Sequence, residues 1–82
     1  MERTWKLYIL RCGDGTLYTG ITTDIARRFE EHSSGKGAKY TRGRGPRELV
    51  YQEECGDKSA ASRREWEIKA LSREEKLQLI KK

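Results

Sequence analysis

The sequence predicts an α+β domain: a small three-stranded antiparallel sheet flanked by three to four helices. Two runs rich in aromatic and branched residues, Thr4–Arg11 and Thr16–Thr19, are separated by Cys12-Gly13-Asp14-Gly15, and Asp-Gly is a strong hairpin signal. A third such run, Glu48–Glu53, supplies the minimum for an independent sheet. The remaining segments carry helix caps and apolar residues at helical spacing. With 82 residues, one domain spanning 1–82 is expected, burying only about two thirds of its surface.

Strand one is expected over Thr4–Arg11. Strand two returns beside it through Tyr18, so that Tyr8 and Tyr18 come close if the register puts them on one face. Gly20, Thr22 and Thr23 then read as the turn into a helix over Asp24–His32, with Thr22 or Thr23 as its cap and Asp24 at its positive end. At about 100° per residue, Ile25, Arg28, Phe29 and His32 share one sector of that helix, while Arg27, Glu30 and Glu31 point elsewhere. An arginine and a histidine thus lie on the face that Ile25 and Phe29 must bury. Polar groups there need a partner, and a phosphate is one.

Gly35 to Pro46 forms a glycine-rich connection, with a short helical turn expected around Ala38–Thr41. From Ser33 to Arg47 there are five basic residues (Lys36, Lys39, Arg42, Arg44 and Arg47) and no acid, with Tyr40 among them. Cations, free backbone N–H groups and a ring able to stack on a base suit a nucleic acid. The plainer alternative is a solvated loop that keeps the protein soluble.

Strand three is followed by a turn at Gly56-Asp57 and a helix over Lys58–Leu71, capped by Asp57 or Ser59. Ser72 and Glu75 have capping-box spacing, so a last helix starts there, turning Leu77 and Ile80 inward and ending in Lys81-Lys82. On the preceding helix Glu65 lies on the inward half, beside Ala61, Ile68 and Lys69. A carboxylate in that position is either paired with a basic residue or reserved for a metal.

The chain is 34% hydrophobic and 38% charged, with a formal net charge of +5. It holds no apolar run long enough to span a bilayer and no signal-peptide pattern, so a soluble, cytoplasmic monomer with no membrane partner is expected. Two cysteines, Cys12 and Cys55, are too few for a zinc site. They are expected to be reduced, although sequence leaves a disulfide between them open.

Taken in order, Lys6-Leu7-Tyr8, Tyr18-Thr19-Gly20, Arg28, His32 and Glu65 resemble the GIY-YIG nuclease superfamily. The resemblance covers essentially the whole chain. It is strongest to short bacterial proteins, of no assigned function, that consist of little but this domain and carry the same Gly35–Thr41 run. It extends to the nuclease domain of eukaryotic junction-resolving enzymes. Tyr8 and Tyr18 match the tyrosines of the two motifs, Gly20 the glycine of the second, Arg28 the helix arginine, His32 the residue one turn on, and Glu65 the metal-binding glutamate. Lys6 and Leu7 replace the glycine and isoleucine of the first motif, and the chain has no asparagine to match one near the end of many members.

The resemblance implies a divalent-metal-dependent DNA endonuclease serving repair, recombination or DNA processing. One Mg2+ or Mn2+ ion would be held by Glu65 and waters. Arg28 would hold the phosphate, and Tyr8, Tyr18 or His32 would take the proton of the attacking water. Lys36, Lys39, Tyr40, Arg42 and Arg44 would meet branched, nicked or single-stranded DNA, with a protein partner supplying specificity. Two other readings stand beside this one: a non-catalytic nucleic-acid-binding module that keeps the nuclease fold, and a domain whose basic loop meets an acidic protein. Residue by residue, the tyrosines could be ordinary strand aromatics, Gly20 a relaxed turn, His32 a helix-end residue, and Arg28 and Glu65 each other's partners.

Overall fold

The computed structural model describes residues 4–33 and 46–81. Three strands and three helices follow in the order β1 (Trp5–Cys12), β2 (Leu17–Thr22), α1 (Ile25–Ser33), β3 (Pro46–Gly56), α2 (Lys58–Lys69) and α3 (Arg73–Ile80). The sheet order is β2-β1-β3 and both pairings are antiparallel. The α+β class and the three-stranded sheet read from the sequence are those of the structure. The turn foreseen at Ala38–Thr41 lies outside the described residues.

The hairpin forms where Asp-Gly stands. The Gly15 N–H donates to the Cys12 carbonyl and the Cys12 N–H to the Thr16 carbonyl, both at 2.9 Å. Gly15 has φ +86°, a left-handed conformation that a side chain would strain. Asp14 Oδ1 accepts from both the backbone N–H and the hydroxyl of Thr16, at 3.1 and 2.6 Å, fixing the turn from inside.

β1 is central, and its period of two separates two environments. Leu7 and Ile9 face Ile68 of α2 in the buried cluster, against which Leu71, Leu79 and Ile80 also pack. Complete burial of such aliphatic side chains is worth about 1.5–3 kcal/mol each. Tyr8 and Leu10 point to the opposite face, where α1 lies: Ile25 and Phe29 of α1 line an apolar cleft with Leu49 of β3.

Four local expectations need correction. Strand two does not stop at Thr19; β2 runs through Thr22, with Gly20 paired opposite Tyr8 and not in a turn. β3 extends three residues beyond Glu53, because Glu54 and Gly56 continue the pairing with Lys6 and Trp5. The cap of α1 is neither Thr22 nor Thr23: Asp24 Oδ1 accepts the Arg27 N–H at 3.1 Å, while the Thr22 hydroxyl accepts the Asp24 N–H. In α3, Leu79 joins Ile80 against the core, while Leu77 is partly buried. The other caps stand as read. Asp57 accepts from the Ala60 N–H at 2.8 Å, and Ser72 with Glu75 forms the capping box.

Cys12 and Cys55 are free thiols. They sit at opposite ends of the sheet, Cys12 opposite Pro46 and Cys55 beside the Trp5–Gly56 pair, which excludes a bond between them. No helix among the described residues is long and apolar enough to cross a membrane.

Candidate active site

The second face of the sheet carries polar groups buried as deeply as the core. Tyr8 is 2% exposed and His32 1% exposed. Tyr8 Oη lies 3.0 Å from His32 Nε2, joining the central strand to the last turn of α1. Tyr18, diagonal to Tyr8 across the β1–β2 pair, completes a ring cluster. Its centroid is 6.4 Å from that of Tyr8 and 5.2 Å, edge-on, from that of His32.

Gly20 makes room for this arrangement. A Cβ at that position would stand 2.5 Å from Tyr8 Oη and 2.7 Å from Tyr8 Cζ, with Tyr18 Cε2 at 3.2 Å. Its φ is not positive, so the glycine is required by the phenol that crosses its Cα and not by backbone conformation.

Electrostatics define the resting protonation state. Burial, then the neighbouring Tyr18, pushes the Tyr8 phenol up to about 12. The Arg28 guanidinium opposes that rise, and the charge of Glu65 adds to it. Burial lowers the His32 imidazole, the Arg28 charge lowers it further, and Glu31 partly offsets both. The phenol therefore keeps its proton and the imidazole is neutral. We assign Tyr8 O–H as the donor and His32 Nε2 as the acceptor, with the ring proton on Nδ1.

Arg28 is half-buried beside this pair, its Nη1 at 3.1 Å from Glu31 Oε1. Glu65, on α2, is 25% exposed on its side chain and is held by Lys69 Nζ at 3.2 Å. Arg28 and Glu65 are thus not each other's ion-pair partners, and the helical i,i+4 spacing accounts for the Glu65–Lys69 contact. A feature that sequence did not reveal holds α2 in place. Arg64 Nε donates to both carboxylate oxygens of Glu53 on β3, at 3.0 and 3.1 Å, and Tyr51 Oη donates to the same group at 2.7 Å. The alternation of Tyr51 and Glu53 put them on one face, but no local signal named Arg64 as their partner.

Among the described residues there is no cluster of three or more His, Cys, Asp or Glu side chains that could hold a metal ion. A lone, partly exposed carboxylate fits a hard cation that keeps most of its waters, and does not fit a caged transition metal. Lys36, Lys39, Tyr40, Arg42 and Arg44, read as nucleic-acid contacts, lie outside the described residues. The remainder of the chain, outside 33–47, has 13 basic and 13 acidic residues, so the net charge of +5 resides entirely in that stretch.

Residues 4–78 match the model of the GIY-YIG catalytic domain. The chain belongs to the GIY-YIG family. Among its relatives, a UPF0213 protein of Desulfotalea psychrophila is 62% identical over 78 residues, 94% of this chain and 71% of that protein. A UPF0213 protein of Natronomonas pharaonis is 58% identical over 74 residues, covering 90% of this chain and 87% of the relative. The solution NMR structure of a UPF0213 protein from Bacillus halodurans aligns with a TM-score of 0.61 at 54% identity, covering 95% of this chain and 83% of that one. That of a protein from E. faecalis aligns with a TM-score of 0.66 at 38% identity, covering 98% and 85%. Within this domain Tyr8, Tyr18, Gly20 and His32 form one packed unit, with Arg28 beside it and Glu65 within electrostatic reach of Tyr8.

Proposed function

We propose that the protein is a divalent-metal-dependent DNA endonuclease, a cytoplasmic monomer that hydrolyses phosphodiester bonds in repair, recombination or DNA processing. The observation that carries this reading is the buried Tyr8–His32 hydrogen bond beside Arg28, on a face where a merely structural sheet would bury aliphatic groups.

The chemistry follows from what each group can do. Arg28 binds the non-bridging phosphate oxygens, for which its planar fork is suited. The Tyr8 phenol, held above its ordinary range, is a poor base alone. Its hydrogen bond to neutral His32 changes that. As the water oxygen attacks phosphorus, Tyr8 Oη accepts the water proton while its own proton passes to His32 Nε2. The P–O3′ bond breaks and the 3′ oxygen leaves, protonated by solvent. Tyr18 positions the water and closes the cluster. Mg2+ or Mn2+ held by Glu65 would supply charge neutralisation for the leaving oxygen. Lys36, Lys39, Tyr40, Arg42 and Arg44 hold the DNA, and a protein partner supplies specificity.

The test is a cleavage screen over duplex, single-stranded, branched, nicked and flapped DNA, with and without Mg2+. Cleavage of at least one shape, abolished by EDTA and restored by added metal, is the expected result. No cleavage of any shape, or cleavage that survives EDTA, contradicts the proposal.

A further inference from the structure

Trp66 is the exposed large hydrophobic residue of the described chain, 74% accessible on α2 immediately after Glu65. Its placement follows from the way α2 is tethered. With Glu65 at zero on the helical wheel, Ala61 and Ile68 lie about 40° and 60° to one side and mark the buried stripe. Arg64 lies about 50° beyond the middle of that stripe, and Glu65 about 50° short of it. Arg64 is bound to Glu53 of β3, so Glu65 occupies the flank of α2 turned away from Glu53. Continuing outward on that flank come Lys69, Ser62 and then Trp66, about 100° from Glu65. The indole is therefore the outer margin of the same helix flank that presents the candidate metal carboxylate.

The surroundings of Trp66 identify the chemistry of its partner. Its helical neighbours three and four residues away are Ser62, Arg63, Lys69 and Ala70, none of which is a large apolar side chain. A protein interface centres on a contiguous buried patch, which a single ring does not provide. A nucleobase needs only one ring face, and its backbone needs cations nearby. Helix α2 contains four basic and two acidic residues. The cations three residues to either side of the indole are Arg63, which lines a cleft with Glu53, Glu54 and Glu67, and Lys69, which holds Glu65 at 3.2 Å.

We propose that Trp66 is a stacking platform for an unpaired nucleobase of the strand engaged at Arg28 and Glu65. The proposal rests on the nuclease reading for the position of that strand, and it names the substrate class: DNA with single-stranded character next to the scissile phosphate. A base stacked inside a duplex has no free face to offer, so blunt duplex gains nothing from Trp66.

The test measures binding in EDTA, where no cleavage intervenes. In a Trp5→Phe background the emission belongs to Trp66 alone. Short oligothymidylate should quench it at saturation, and a blunt hairpin duplex should leave it nearly unchanged. Trp66→Ala should weaken oligothymidylate binding about tenfold, and Trp66→Phe should recover most of that loss. The exposed position predicts an unchanged Tm for both variants. Glu65→Ala in the same background should retain the quench, so stacking is read independently of metal chemistry and survives even if no cleavage is found. Unaltered affinity in Trp66→Ala, or unquenched Trp66 emission with single strand bound, overturns the proposal. So does a change of sedimentation mass in Trp66→Ala with DNA affinity unaltered, which would make the indole a self-association contact.

Discussion

The two faces of the central strand are equally dry, but what β1 itself buries on each differs in chemistry. Leu7 and Ile9 look toward α2 and α3 and pack in an aliphatic cluster with Ile68, Leu71, Leu79 and Ile80, with the Arg64–Glu53–Tyr51 clamp at its margin. Tyr8, between them in sequence, looks toward α1 and meets His32, Tyr18 and the close-packed backbone of Gly20. The first face obtains its stability from area removed from water, which any well-fitting aliphatic set provides. The second buries hydroxyl and imidazole groups that cost free energy unless paired, and it positions them by one hydrogen bond and one missing Cβ. Adjacent residues of a single strand thus separate holding the fold together from holding chemistry in place.

Substitution on each face should separate those roles. The largest stability loss is expected from Leu7→Ala, about 2–5 kcal/mol by urea unfolding, because the void lies under α2 with no side chain free to fill it. Cleavage per folded molecule should survive. Tyr8→Phe should show the reverse: about 1 kcal/mol of stability, the hydrogen bond to His32, and nearly all cleavage lost. Equal loss of activity in both variants would erase the distinction between the faces.

Gly20→Ala comes next, at about 1–3 kcal/mol, since the new methyl would meet the buried Tyr8 phenol at 2.5 Å and the ring has nowhere to retreat. The companion readout is the His32 ring resonance by NMR, which should move as the Tyr8 bond breaks. A variant with wild-type stability and an unmoved His32 signal would remove the steric account of Gly20.

The smallest effect is in the pH dependence of stability. Folded His32 titrates below the unfolded value near ~6.5, so below that pH the unfolded chain takes up a proton that the fold resists. Stability contributed by His32 is complete above ~6.5 and is lost as pH falls toward the folded value. Folded Tyr8 titrates at about 12, against ~10 when unfolded. Its contribution is present below ~10 and is lost as pH rises from there toward 12. Tyr8→Phe should shrink the alkaline loss without removing it, because burial also raises Tyr51 and Cys55. A Tyr8→Phe alkaline limb identical to wild type would contradict the buried phenol.

Much of this was legible in the sequence where the determinants are local. The Asp-Gly hairpin, the Ser72–Glu75 box and the sharing of one α1 face by Arg28 and His32 are all set within a few residues, and the structure has each of them. What could not be read depends on partners far along the chain. Gly20 looked like a turn because glycines usually are; that its neighbour is the Tyr8 ring is a fact of strand register. The Arg64–Glu53–Tyr51 clamp joins residues of α2 and β3 whose relative rotation no local pattern specifies. At α1, Asp24 won the cap because its carboxylate reaches the Arg27 N–H, leaving the Thr22 hydroxyl to hold the Asp24 N–H. Tyr8, Tyr18, His32 and Arg28 lie as neighbours in the structure, and the direction of proton donation within them needed burial and distance.

The most direct measurement of the central claim pairs Glu65→Ala with wild type on the DNA shape that the cleavage screen finds preferred. Nicking in Mg2+ and binding affinity are read from the same preparation. Wild type should nick and Glu65→Ala should not, while both bind with closely similar affinity, because the substitution removes the metal carboxylate and leaves the basic stretch 33–47 intact. Nicking by Glu65→Ala at the wild-type rate would contradict the account.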